Sequence, residues 1–200
     1  MAFNINRKTK VGVISLVAAA VLVIAGTVCL MFMAKGVVNT FRVDAASQLN
    51  NVIEGKDAGV PIELGSVWLG DMLSSDYKKV DSLQDEYQKI LIALKNYVAV
   101  LNIHNQLVSE YNKGLKGENI VNGDLLKLVK KYRDLIASKF PDETDRIAAV
   151  DDFSERVLAA SDFDSIASSM AGMISNNDNW LNDIRDDLNN QITSFQKKIN

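Results

Sequence analysis

The feature that most constrains the fold of this chain is an uncharged apolar stretch of 24 residues, which runs from Val11 to Ala34. As a helix it would be about 36 Å long, enough to cross a hydrocarbon core of about 30 Å with some tilt. A helix is required because hydrocarbon offers no hydrogen-bond partners to the peptide groups. The sequence therefore predicts a short tail over residues 1–10 and a single transmembrane helix over residues 11–34.

A cleaved signal peptide is the main alternative for this stretch. The apolar region of a signal peptide has about 7–15 residues, and the one found here is longer. Cleavage after Ala34 would place the bulky Phe32 where a small residue is preferred, and Cys29 follows Val28 instead of the small residue of a lipoprotein signal. We therefore expect an uncleaved anchor, while the sequence leaves open whether it is ever removed.

Charge is divided unevenly along the chain. Four of the 22 Lys and Arg residues and none of the 25 Asp and Glu residues lie within residues 1–35, so the remainder carries a net charge of −7. Three cations precede the span and two, Lys35 and Arg42, follow it. This bias predicts a cytoplasmic N-terminus and an extracytoplasmic body at the cell membrane. Because the body is acidic, nucleic-acid binding is not expected.

The body is predicted to be all-α, with a juxtamembrane helix and loop over residues 35–70 and a helical bundle domain over residues 71–200. Gly and Pro residues mark the breaks between helices. The alternating stretch Val60–Leu64 contains Pro61 and is predicted to be an extended loop, not a strand. The predicted helices are the span continued to Asn51, then Leu69–Lys113, Asp124–Lys139, Pro141–Ala160, and Ser161 to the C-terminus with a restart at Asp178.

The starts of the last three helices follow from local signals. Asp124 is a favourable N-cap residue, and Pro141 is of a type favoured in the first helical turn. Ser161 and Asp164 form a weak variant of a capping box.

The helix predicted over Leu69–Lys113 carries the clearest periodicity. Apolar residues recur at alternating spacings of three and four, which is the pattern of a heptad seam. A second apolar stripe widens this face, which favours a coiled-coil-like helix inside an elongated antiparallel bundle. The seam comprises Val80, Leu83, Tyr87, Ile90, Leu94, Tyr97, Leu101, His104, Val108 and Tyr111.

Few residues indicate chemistry. His104 is the only histidine and Cys29 the only cysteine, which excludes the usual His and Cys metal sets. His104 lies in the apolar seam, so packing is the simpler interpretation and a buried proton switch the alternative. The run Asn176–Asn179 lacks the Gly and the closing Glu of an EF-hand loop. We expect no catalytic residue, no cofactor and no metal.

Five residues are candidate contacts to a partner. An exposed tryptophan can anchor an interface, and a local basic patch can contact an anionic lipid or polymer. The alternatives are a packed tryptophan at a helix end and the polar side of an amphipathic helix. The candidates are Trp68, Trp180, Lys127, Lys130 and Lys131.

The layout of a short tail, a single span and an all-helical body is similar to that of the LemA-type membrane proteins. The segment Phe41–Glu54, which reads FRVDAASQLNNVIE, departs from the arginine-rich, proline-containing helix motif of that family. A layout alone does not transfer function. We expect a protein-interaction or structural module that binds an envelope protein or associates with itself through its long helix. The alternative is a ligand-binding or enzymatic domain with a pocket between helices.

Overall fold

The computed structural model describes residues 32–54, 56, 60–65, 75–121 and 123–199. The predicted tail and residues 11–31 of the predicted span lie outside these residues. Within the described part of the chain, no helix is both long and apolar enough to cross a membrane. The last three residues of the predicted span, Phe32 to Ala34, begin the first described helix.

The fold is all-α, as predicted, and the described residues form a helical bundle without β-strands. The first helix, α1, covers residues 32–53, in agreement with the predicted continuation to Asn51. The other helices are α2 (Ser75–Asp81), α3 (Gln84–Leu115), α4 (Gly123–Lys139), α5 (Thr144–Ala159) and α6 (Asp164–Ile199).

The described residues divide into two compact units. The first contains residues 32–48, 60–65, 75–88 and 195–199, and the second contains residues 49–54, 56, 89–121 and 123–194. The division falls within α1, α3 and α6, because each of these helices contributes residues to both units.

The first unit is organised around Tyr87, which is fully buried. The ring of Phe41 meets it edge-on, with centroids 5.6 Å apart, and the ring of Phe195 stacks on it at 6.0 Å. Such contacts between aromatic rings stabilise a core beyond simple burial. At one edge of this unit, an ion pair joins Lys198 Nζ to Glu86 Oε1 at 2.7 Å.

An extended segment of the first unit, residues 60–65, is held by side chains of the helices. We call it the strap. Gln48 Nε2 donates to the Val60 carbonyl (2.7 Å), and the Leu64 amide donates to Gln84 Oε1 (2.8 Å). Two tyrosine hydroxyls make the other strap contacts: the Ile62 amide donates to Tyr87 Oη (3.4 Å), and Tyr77 Oη donates to the Gly65 carbonyl (3.1 Å). The strap is therefore a loop without strand pairing, as Pro61 predicts.

The second unit has a continuous apolar core contributed by α3, α4, α5 and α6. α4 and α5 pack against each other as neighbours along the chain. Burying these faces against one another supplies most of the stability that isolated helices lack in water. Its buried residues include Val100, Ile103, Leu107, Leu125, Val129, Tyr132, Ile136, Val150, Phe153, Val157, Ile166, Met170, Trp180 and Leu181.

The predicted helix Leu69–Lys113 is interrupted, so the prediction of one continuous element was wrong. Residues 66–74 lie outside the described residues, α2 ends at Asp81, and a turn at Ser82 and Leu83 precedes α3. Ser82 Oγ donates to the Lys79 carbonyl (2.8 Å). This bond competes with the helical ladder, and the Leu83 amide closes a tight turn onto the Val80 carbonyl (3.0 Å).

The predicted start of a helix at Pro141 was also wrong. The Glu143 amide donates to the Phe140 carbonyl (3.1 Å), which makes residues 140–143 a β-turn. Proline is favoured at the second position of such a turn because its φ is already fixed near the required value. Glu143 then occupies the N-cap position, and α5 begins at Thr144.

The last helix differs from its prediction at its start and in its middle. The capping oxygen comes from Asp162 instead of Ser161, since Asp162 Oδ1 accepts from the Ser165 amide (3.0 Å). The helix then continues through the asparagine run without the predicted restart at Asp178. Met173 and Trp180 are buried on either side of that run, and this packing outweighs the weak helix propensity of asparagine.

The buried face of α3 agrees with the predicted heptad seam only in part. Tyr87, Ile90 and Leu94 are buried as predicted, but Leu101 and Val108 are only half-buried. Toward the C-terminal end the buried apolar residues are instead Val100, Ile103 and Leu107. A straight α-helix drifts by about 20° per heptad against a 3.5-residue repeat, so the buried face moves to the neighbouring stripe.

Candidate functional site

The two predicted tryptophan contacts have different outcomes. Trp68 lies outside the described residues. Trp180 is only 8% exposed, with the Phe140 ring edge-on at 5.1 Å between centroids and the Arg146 guanidinium carbon 4.4 Å from the indole centroid. Its environment favours the packing role that the sequence also allowed.

The three predicted basic contacts lie on the exposed side of α4. Lys127 Nζ is 2.9 Å from Asp124 Oδ1, and both side chains are largely exposed. Exposed pairs of this kind contribute little to stability. Lys130 and Lys131 make no ion pair within the described part of the chain, and with Lys127 they line a shallow, open surface.

His104 belongs to a buried polar layer of the second unit. Its Nε2 is 2.7 Å from Asp178 Oδ1, and its ring is 6.1 Å from that of Tyr132 between centroids. The side chain of His104 is 1% exposed, whereas that of Asp178 is 54% exposed. The bond thus joins a core imidazole to a carboxylate at the surface, which supports packing as the role of this histidine.

The polar layer contains hydrogen-bonding atoms without partners among the described residues. These atoms are His104 Nδ1, Tyr132 Oη and Asn177 Nδ2, all inaccessible to water. Burial raises the pKa of Tyr132 well above its ordinary value, with the nearby Arg146 charge lowering it and the Asp178 charge raising it. The hydroxyl therefore stays protonated at physiological pH.

Arg146 organises the polar side of this layer. Its Nη1 donates to Asn177 Oδ1 (2.9 Å) and to the Asn176 carbonyl (3.3 Å), and its Nε donates to Glu143 Oε2 (3.3 Å). Together with the stacking on Trp180, these bonds tie α5 to the middle of α6. A guanidinium fits such an arrangement because its planar donors are fixed in direction.

A groove of about 520 Å³ opens between α5 and α6. Its apolar lining residues, called the floor below, are Ala149, Val150, Met173 and Trp180. Its charged residues are the carboxylates of Glu143, Asp145 and Asp183 and the guanidinium of Arg146. Three asparagine amides, those of Asn176, Asn177 and Asn179, complete the wall.

The chemistry of this groove is that of a site for a polar or cationic group. Its wall carries three carboxylates and one cation. Within the described residues, no group of three or more His, Cys, Asp or Glu side chains is placed to hold a metal ion. The walls offer hydrogen-bond donors and acceptors for binding.

A second groove, of about 510 Å³, is lined mainly by apolar side chains of the second unit. Ile53 is 53% exposed there. Burial raises the pKa of Tyr97 in its wall, opposed by Arg185 and assisted by Asp186. The lining residues are Val52, Ile53, Glu54, Leu94, Tyr97, Val98, Leu101, Asn102, Arg185, Leu188 and Asn189.

Sequence reasoning missed the central roles of Arg146 and Asn177. A signal for both was present, because each occupies a position of the apolar repeat. Arg146 precedes Val150, Phe153 and Val157 at spacings of four, three and four. Asn177 falls in the repeat of Met170, Met173 and Trp180. A polar residue at such a position must either be bonded inside the core or open onto a site.

Comparison with known proteins adds no assignment: no family profile, curated protein or solved structure matches this chain.

Proposed function

We propose that this protein is a membrane-anchored, single-pass protein whose extracytoplasmic body, an elongated antiparallel bundle, binds another protein. The observation that carries the proposal is the groove between α5 and α6, which is lined by a buried amide, by apolar side chains and by three carboxylates, two of them without an ion pair among the described residues. Concave sites with a few polar groups over apolar walls are typical of binding sites. No catalytic role is proposed for any of its residues.

The anchor and its orientation are supported by the uncharged stretch Val11–Ala34 and by the cations that precede it. Single cysteines placed in a Cys29→Ser background test the orientation. Ser168→Cys, on the exposed side of α6, should react with an impermeant maleimide on intact cells. Asn4→Cys should react only after the membrane is permeabilised. The reverse labelling pattern would refute the orientation.

Binding through the groove is tested by site-specific photocrosslinking of the full chain in its native membrane. A photoreactive residue in place of Asn179, in the groove wall, should give a discrete adduct with one other protein. Glu155 is exposed on α5 but does not line the groove, so a photoreactive residue there is the matched control. The proposal fails if Asn179 gives no adduct, or if both positions give the same one.

The second candidate function, binding of a small ligand in a pocket between helices, is favoured by one observation. Three carboxylates line one groove of about 520 Å³, a volume within the range of small-molecule sites. Self-association through the long helix, the structural alternative, would appear as a dimeric mass of the full chain in mild detergent, and a monomeric mass would contradict it.

A further inference from the structure

We propose that the groove between α5 and α6 binds a lysine or arginine side chain in a basic segment of the partner protein. The inference rests on the proposed function and names the chemistry of the partner. Three features of the groove support it: the charge of its wall, an amide donor without an acceptor among the described residues, and the apolar residues of its lining.

The charge of the groove wall favours a cationic ligand. The one cation of the wall, Arg146, is paired with Glu143. Asp145 and Asp183 form no ion pair among the described residues. The groove therefore presents two uncompensated carboxylates, and a cleft with low-dielectric walls concentrates the field of such charges. An anionic ligand would face this field, whereas a cationic side chain would neutralise it.

The hydrogen bonds of Asn177 point to a ligand that also carries an acceptor. Asn177 is 2% exposed and forms part of the groove wall. Its Oδ1 accepts from Arg146, but its Nδ2 has no acceptor within the described residues. This nitrogen is not exposed to water, so an oxygen acceptor from outside can reach it only after a small displacement of the neighbouring side chains. A buried donor without an acceptor favours such a contact because it would otherwise keep the full cost of its desolvation. A peptide carbonyl next to a basic side chain supplies that oxygen, whereas a free polyamine has donors and no carbonyl.

The floor fits the stem of a long basic side chain. Val150, Met173 and Trp180 contribute apolar atoms to the lining of the groove, although little of each side chain is exposed. Lys and Arg bury their methylene groups along such surfaces while their charged ends remain among polar groups. The same side chain can thus contact the floor and reach Asp145 or Asp183.

The experiment titrates the full chain, purified in detergent and carrying Trp68→Phe so that only Trp180 reports by fluorescence. The probes are a capped Ala-Ala-Lys-Ala-Ala peptide, the same peptide with norleucine in place of lysine, and spermidine. The lysine peptide should change the Trp180 emission with an affinity that weakens as salt is raised. The norleucine peptide and spermidine should bind at least about tenfold more weakly.

Paired variants locate the binding. Asp145→Asn with Asp183→Asn should weaken binding of the lysine peptide by about tenfold or more. Glu155→Gln with Asp187→Asn changes the charge equally at exposed positions outside the groove and should change affinity less than about twofold. All four positions are exposed, so circular dichroism should show the same folded state in both variants.

Several outcomes would overturn this inference. Equal affinities for the lysine and norleucine peptides would show that the charge of the side chain does not determine binding. An affinity for spermidine equal to that for the lysine peptide would show that the groove binds a small cation. Equal effects of the two paired variants would place the binding elsewhere. If the photoreactive Asn179 position still captures a partner in any of these cases, the proposed function stands and only the chemistry of the partner is wrong.

Discussion

Two fully buried tyrosines, Tyr87 and Tyr132, differ in what their hydroxyl groups contact. The hydroxyl of Tyr87 donates to Gln48 Oε1 and accepts from the Ile62 amide. The hydroxyl of Tyr132 has no partner among the described residues. The same chemical change at the two positions should therefore have opposite effects on stability.

We expect Tyr132→Phe to raise the free energy of unfolding by about 1 kcal/mol, because it removes a buried hydroxyl that has no hydrogen-bond partner among the described residues. Tyr87→Phe should lower it by about 1–2 kcal/mol, because two hydrogen bonds are lost. Urea unfolding followed by circular dichroism measures both. Equal destabilisation by the two substitutions would contradict the contrast between their environments.

The same tyrosines predict a loss of stability at alkaline pH. Burial raises the pKa of Tyr87 and Tyr132 above the ordinary 10.0. In the unfolded chain these hydroxyls lose their protons first. Their ionisation therefore leaves the free energy of unfolding unchanged below about pH 10 and lowers it as the pH rises toward the raised pKa values of the folded state.

The free energy of unfolding should thus fall as the pH is raised from about 9 to about 11, and less steeply in Tyr132→Phe than in the unchanged chain. Denaturant titrations at fixed pH steps measure the slope. Phe140→Leu, which removes a ring but no titrating group, is the control and should keep the original slope. An unchanged slope in Tyr132→Phe would count against a raised pKa at this residue.

At the scale of helices, the end of α3 depends on one glycine. Gly117 has a φ of 85°, its amide donates to the Gly114 carbonyl (2.9 Å), and the Glu118 amide donates to the Lys113 carbonyl (3.1 Å). These two bonds define a Schellman motif, in which the left-handed residue is usually glycine because a Cβ is strained there.

Gly117→Ala should therefore lower the free energy of unfolding by about 1 kcal/mol. Gly172 lies within α6 with open space around its missing Cβ, so Gly172→Ala should raise stability by about 0.5–1 kcal/mol. Thermal unfolding of the two variants side by side provides the measurement. A stabilising effect at Gly117 would show that the left-handed conformation is not required.

Much of the helical pattern could be predicted, because an apolar residue at every third or fourth position has few other solutions. The Phe140–Glu143 turn could not be distinguished from a helix start, since Pro141 favours both. The run Asn176–Asn179 resembled a break because asparagine has a low helix propensity. The helix continues because Met173 and Trp180 are buried on either side of the run, and that burial depends on tertiary packing, which the local sequence does not show.

The candidate site was less accessible to sequence reasoning than the helices were. Arg146 and Asn177 occupy core positions of two helices, and the sequence alone shows that polar residues stand at those positions. Their mutual bond, across 31 residues of chain, depends on how α5 and α6 pack. Spacing within one helix carries no information about that packing.

At the scale of the whole molecule, the uncharged stretch Val11–Ala34 predicts attachment to the membrane. Replacing Val21 and Ile24 near its centre by arginine should prevent stable insertion, because each charge there costs about 2.5–3.5 kcal/mol. The full chain should remain in the membrane pellet after alkaline carbonate extraction, and the Val21→Arg, Ile24→Arg variant should be released.

Two arginines at the exposed positions Ser168 and Glu155 serve as the control and should leave the chain in the pellet. Release of the unchanged chain would refute the anchor.

The strap has a consequence for how this protein tolerates change over evolutionary time. Its hydrogen bonds use the main-chain atoms of residues 60, 62, 64 and 65, whereas its helical partners contribute side-chain atoms. Every residue type offers the same carbonyl oxygen, so sequence drift at the exposed Val60 and Glu63 should be nearly neutral. The side chains that hold the strap in place belong to Gln48, Tyr77, Gln84 and Tyr87, which lie outside the strap. Related chains should therefore retain these four residues while the sequence of the strap diverges.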